Sequence, residues 1–182
     1  MSNLRGQLLI ASPALLDPNF HRTVVLIAEH DDETGAMGVV LNRQTELLVA
    51  EAAPVLADVV EEGAMVHEGG PVQPTAVVIL AQFHDPANAM VPVFEDVGFV
   101  GGEADFDALG PEVSRARVFA GLAGWSPGQL EAEIERDDWI LEPARADDAF
   151  SDEPEGLWAS VLERKGGSFA LVARMPPDPS LN

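Results

Sequence analysis

Residues 23–43 read TVVLIAEHDDETGAMGVVLNR, two apolar runs separated by the polar loop DDETGA. Val, Leu and Ile in short unbroken runs fit a pleated, buried surface, so both runs predict strands. Gly35 in the loop supplies the positive φ that a tight reversal needs, which makes the pair an antiparallel hairpin. With His30 set opposite Met37, Val24 faces Arg43 and Val25 faces Asn42. Arg22 then lies diagonally across from Arg43 on the same face, about 7–8 Å away at Cβ, and a slip of one residue would separate them.

Outward from the hairpin, the strand pattern recurs in QLLIA (7–11), AMVHE (64–68), TAVVILAQF (75–83), RVFAGLA (117–123), DWILEP (138–143) and SFALVAR (168–174). The last of these, ending in Arg174, is expected to close the sheet. Helices are expected where proline can occupy a first turn: over VLADVVEE (55–62) after Pro54 with Gly63 as the stop, from Pro127, and from Pro154. In the third, Leu157, Trp158, Val161 and Leu162 share one stripe, and Arg164, Lys165 and Gly166 mark the C-terminus. Residues 82–110, with His84-Asp85-Pro86, Pro92 and Gly101-Gly102, predict a long excursion or irregular strands. Neither a fixed-period repeat nor a linker divides the chain, so residues 1–182 read as a single α+β domain.

Composition narrows the function. A chain of 182 residues, 47% hydrophobic, fills a core without staples, and the absence of cysteine removes disulfides, thiolate catalysis and Cys-type zinc sites. That fits a reducing compartment, and the cytoplasm is expected. The opening MSNLRGQLLIASPALLDPNF is broken by Pro13 and Asp17 and lacks a signal-peptide cleavage pattern. No apolar run approaches the roughly 20 residues of a bilayer span, so no membrane association is expected. Asp and Glu number 31 against 10 Lys and Arg, a net charge of −21 that repels phosphate backbones and opposes direct nucleic-acid binding. The acids are dispersed in short groups and read as solvated faces.

Residues 124–128, GWSPG, match G-x-S-x-G, the pattern of the nucleophile turn in serine hydrolases. In that turn the N–H after the serine helps form the oxyanion hole, but here the next residue is Pro127, which has none. The triad order is serine, acid, histidine, and His21, His30, His67 and His84 all precede Ser126. A structural reading accounts for more residues: Ser126 as N-cap, Pro127 at the first helical position, Gln129 completing a capping box, and Trp125 stapled to Leu130.

Taken in order, GQLLIASPALLDPNFHRTVVLIAEH, GAMGVVLNR, EGGPVQP and FAGLAGWSPGQLEAE resemble the YqgE/AlgH family of bacterial proteins over nearly the whole chain. The resemblance implies an α+β fold whose mixed, mainly antiparallel sheet curls toward a flattened barrel with helices packed outside. It implies no chemistry. Members are often labelled transcriptional regulators, a role in direct DNA contact that the charge of this chain opposes.

Glu29-His30-Asp31-Asp32 and His67-Glu68 contain ligand-type residues but match neither H-E-x-x-H nor an EF-hand, and adjacent strand residues point to opposite faces. No metal or cofactor is expected. Gly69-Gly70-Pro71 is not a P-loop, although its backbone can approach a neighbour closely. The remaining polar group is Arg22, Thr23, Asn42 and Arg43, with Gly69 and Gly70 as candidate companions. A pair of arginines suits a carboxylate or phosphate, or is neutralised internally by Asp17. Two classes stay open: a non-enzymatic regulatory or binding module for a small anion, acidic peptide or protein partner, and an enzyme of unassigned reaction, a hydrolase being the least remote.

Overall fold

The computed structural model describes residues 3–178. Its strands are β1 (Gln7–Ala11), β2 (Val24–Asp31), β3 (Gly35–Val40), β4 (Gln44–Leu48), β5 (Met65–Glu68), β6 (Val72–Phe83), β7 (Val91–Phe94), β8 (Val97–Phe99), β9 (Val113–Trp125) and β10 (Trp139–Pro143). Its helices are α1 (Val49–Ala52), α2 (Phe106–Leu109), α3 (Gln129–Glu135), α4 (Ala146–Ala149), α5 (Leu157–Lys165) and α6 (Phe169–Val172). The ten strands form one sheet in the order β10-β1-β2-β3-β9-β6-β8-β7, and β4 and β5 branch from it at β9. All pairs are antiparallel except β5 on β9.

The 13-residue β9 is the hub. Its end pairs with β3 through Ala36 and Trp125, its middle pairs with β5 through His67 and Phe119, and its other edge runs along β6. Gly69 sits where β3 and β9 part. Its N–H donates to Ala120 O at 2.8 Å, and its carbonyl accepts from Val40 N–H at 2.9 Å. A Cβ on Gly69 would stand 2.2 Å from Gly121 O, and one on Gly70, at φ +146°, would stand 2.2 Å from Leu122 O. The pair therefore serves close approach of two backbones.

Alternation along the strands sends one face of both halves inward. Leu8, Ile10, Leu26 and Val39 meet Leu80, Phe119, Val93 and Phe99 in a single core, joined by Trp158, Val161 and Leu162 of α5. The sheet curls so far that β7 packs on β2, although no ladder joins those ends among the described residues. The outer faces carry separate clusters: Leu9, Val25, Ile27, Trp125 and Trp139 under α3, and Val49, Leu56, Ile79 and Val118 beside α1 and a 3-10 turn at Pro54–Leu56.

Three local expectations are corrected. In the β2–β3 hairpin His30 faces Ala36 and Glu29 faces Met37, and past an irregularity at Ala28 the register shifts again, so that Val25 faces Val40. A β-bulge adds an unpaired residue that apolar patterning alone does not reveal. SFALVAR does not close the sheet: Phe169–Val172 is α6, packed on α5. A short apolar run without a period fits helix and strand alike. VLADVVEE is not a helix beyond the Pro54–Leu56 turn, since its valines and Asp58 are poor helix formers and Val59 N–H bonds only to Leu56 O. The polar β4 carried no apolar signal, and the irregular strands expected within 82–110 are β7 and β8.

Candidate functional site

The structure gathers Arg22, Thr23, Asn42 and Arg43 at the open end of the hairpin and gives each a structural partner. Asn42 closes the strand ends with its side chain: Oδ1 accepts from Val24 N–H and Nδ2 donates to Arg22 O, each at 2.9 Å. This leaves Arg22 in the left-handed region at φ 53°. Its guanidinium lies 4.0 Å from the centroid of the Trp158 ring and donates to Met175 O at 2.9 Å. Burial holds its pKa below the usual range for arginine. Arg43 donates to Pro18 O at 2.8 Å, while the buried Thr23 hydroxyl donates to Phe20 O at 2.8 Å. Asp17 accepts instead from Asn19 N–H. Both guanidiniums are thus bonded to carbonyls of the chain itself. Gly69 and Gly70 are buried in the sheet beside Glu68, whose N–H donates to Arg43 O.

GWSPG leads into a sealed aromatic cluster. Phe20 stacks on Trp125 and meets Trp139 edge-on. Glu133 Oε2 accepts from both indole N–H groups at 2.8 Å. Gln129 returns half of the expected capping box, accepting from Ser126 N–H at 3.0 Å. The helix itself starts later than expected. Gly128 is left-handed at φ 76°, so it is the N-cap, and the exposed Ser126 hydroxyl caps nothing. Leu130 is buried with Trp125 as the staple requires. Among the described residues no histidine bonds to Ser126.

Two histidines are buried. His30 Nδ1 accepts from Leu4 N–H at 3.1 Å, so its proton sits on Nε2 and is donated to Glu131 Oε1 at 2.7 Å. That bond holds the Glu131 carboxyl below its usual range. His30, Asp32 and Glu131 place ligand atoms within 4.8 Å of one another. With Nδ1 already an acceptor, a metal on Nε2 would require an imidazolate, which the geometry disfavours. His67 donates from Nδ1 to Met65 O, and its Nε2 has no hydrogen-bond partner among the described residues. Burial, and then the charge of Arg117, lowers its pKa to about 4.

A cleft of about 450 Å³ opens between β6, β8 and the Pro54–Leu56 turn. Buried Leu56, Ile79 and Phe99 reach into it, and Val55, Val77 and Met90, each 54–67% exposed, stand at its mouth. It draws on both the inner core and the outer cluster around α1. A second pocket, of about 300 Å³, is lined by Arg115 and Arg117 together with Glu61 and Asp152. Sequence reasoning singled out neither. The signal for the second was present in Arg115-Ala116-Arg117, whose alternation sends two of the chain's ten basic side chains to one face of β9.

Among the described residues no helix is long and apolar enough to cross a membrane. The AlgH-like family, DUF179, matches residues 8–170. A UPF0301 protein of Streptomyces coelicolor is 43% identical, covering 100% of this chain and 97% of its own length. A UPF0301 protein of Chlorobaculum tepidum is 39% identical, covering 97% of this chain and 95% of its own. The crystal structure of a Corynebacterium diphtheriae protein superposes with a TM-score of 0.87 at 30% identity, covering 94% of this chain and 92% of its own. The solution structure of AlgH from Pseudomonas aeruginosa does so with a TM-score of 0.72 at 29% identity, covering 96% of this chain and 95% of its own. Motif order, sheet topology and near-complete coverage agree, and the chain belongs to the AlgH-like UPF0301 family.

Proposed function

We propose that this protein is a non-enzymatic binding module whose ligand is a small, uncharged, largely apolar molecule held in the cleft beside β6. The observation that carries this reading is the lining, in which, among the described residues, not one ionisable side chain occurs. Exposed Val55, Val77 and Met90 stand over buried Leu56 and Ile79, so an occupant would remove apolar surface from water at about 25 cal/mol per Å². The volume of about 450 Å³ falls among small-ligand pockets. Met37 and Met90 can re-pack around different shapes. A neutral ligand also avoids the repulsion that a net charge of −21 imposes on anions, acidic peptides and DNA. An anion at Arg22 and Arg43 has weaker support, because those guanidiniums already face carbonyls and an indole. A hydrolase centred on Ser126 has weaker support still, with Pro127 behind it.

The test is a titration with the neutral, polarity-sensitive dye Nile red on the wild type and on Val77→Glu. Saturable, blue-shifted, one-site binding is expected in the wild type and a loss of at least tenfold in the variant, at unchanged melting temperature. A silent wild type, or a variant that binds equally well, overturns the reading. So does a wild type that excludes dye because two copies cover the cleft.

A further inference from the structure

We propose that the pocket beside Arg115 and Arg117 is a second binding site, for a small amino-carboxylate zwitterion such as a free α-amino acid. It is independent of the apolar cleft. The two arginines are separated by one residue on β9, so their side chains leave the same face of the strand. They line a pocket of about 300 Å³ together with the carboxylates of Glu61 and Asp152 and the buried apolar surfaces of Val59 and Phe150.

The charges in this pocket are present in both signs but do not close on one another. Arg117 is half-buried and donates to Ser151 O at 2.9 Å and, at the 3.5 Å limit, to Ala149 O. Among the described residues it makes no ion pair within 4.0 Å; burial lowers its pKa, and the nearby Glu61 and Asp152 carboxylates offset only part of that. Arg115 is steered by Gln82 Oε1 and Asp147 Oδ1, both at 2.9 Å, and its guanidinium lies 5.1 Å from the centroid of the Phe150 ring. Each guanidinium offers five N–H donors, so donors remain on both after these bonds.

This arrangement selects by charge pattern. A simple anion meets two carboxylates as well as the field of a −21 molecule, and a simple cation meets two guanidiniums. A molecule carrying a carboxylate and an ammonium a few bonds apart can present each group to its opposite. A bidentate guanidinium contact suits the carboxylate, and Glu61 suits the ammonium. Val59 and Phe150 then favour an aliphatic side chain over none. The volume lies at the small end of ligand pockets, in keeping with a single residue rather than a peptide.

Calorimetric titrations of the full chain with L-leucine, isovalerate and isoamylammonium separate the possibilities, since the last two carry one charge each on a branched skeleton one carbon shorter than that of leucine. Leucine is expected to bind saturably, and each single-charge analogue at least tenfold more weakly. Arg117→Gln is expected to abolish leucine binding. Because that side chain is half-buried, Glu61→Gln, on the exposed rim, serves as the second variant, and it should weaken leucine at least fivefold while leaving isovalerate no weaker. Isovalerate binding as tightly as leucine would make this an ordinary anion site and overturn the proposal. Absence of leucine binding in the wild type, or unchanged affinity in Glu61→Gln, overturns it equally.

Discussion

Over β1–β3 the seven-residue α3 lays Leu130 onto Trp125 and Trp139, and its Glu133 accepts both indole N–H groups; over β6 and β8 the cover is the four-residue α1 and α2 and a 3-10 turn. The first face is closed, with its polar atoms matched. The second is left with a cleft of about 450 Å³. At about 1.5 Å of rise per residue, a single-turn helix covers about 6 Å, a small part of the 12-residue β6 beneath it. The length of the covering element therefore decides whether a sheet face becomes closed core or open cleft. Apolar content does not decide it, for both faces are rich in Val, Ile and Phe or Trp.

The seam between the two halves is the most sensitive place. Gly69→Ala would put a Cβ 2.2 Å from Gly121 O, between β5 and β9, where backbone cannot yield as a side-chain tip can. A loss of about 4 kcal/mol or more is expected in urea melts, at the upper end for overpacking. A loss below about 1 kcal/mol would mean that the two halves are not held in register there.

His67 lies on the same seam. Unfolded, its ring titrates near 6.5, and folded it stays neutral down to about 4. Between those values the unfolded chain binds the extra proton, so this contribution is fully present above about pH 6.5 and falls away as pH drops toward about 4. The total is on the order of 3 kcal/mol. Melts at pH 7 and 4.5 should show a shallower acid loss in His67→Leu than in the wild type, and parallel profiles would contradict the neutral buried ring.

On the closed face, Glu133→Ala leaves two indole N–H groups without their acceptor, for an expected loss of about 2–3 kcal/mol read by chemical denaturation. On the open face, Val55→Ser, at a side chain 67% exposed, should change stability by less than about 0.5 kcal/mol. If the two substitutions cost the same, the contrast between sealed and open faces fails.

Much of this arrangement was legible in letters. Both strands of the 23–43 hairpin, the family, and the α5 stripe of Leu157, Trp158, Val161 and Leu162 came from patterns in which one residue type serves one environment. What escaped depended on partners distant in sequence. The bulge at Ala28 shifted the assumed register, and Asn42 took the place of a ladder bond at the open end. Nothing local to Glu133 marks it out, since its role is fixed by Trp125 and Trp139. The cleft was invisible because Met37, Val77 and Met90 resemble core residues until the brevity of α1 and α2 is known. Arg115 and Arg117 lay at the start of an apolar strand and drew no notice for that reason.

The position of β9 also sets an order in time. Hairpin β2–β3 is local and can form as soon as its residues are available, but β3, β5 and β6 all wait for one late strand, Val113–Trp125. At about 5–20 residues per second of synthesis, β3 keeps an open edge for several seconds before Trp125 reaches Ala36. Long-range pairings of this kind slow folding and prolong exposure to aggregation. A chain that stalls before residue 113 would hold unfinished sheet edges on both sides of the missing strand, a species that chaperones recognise and that the finished protein never displays.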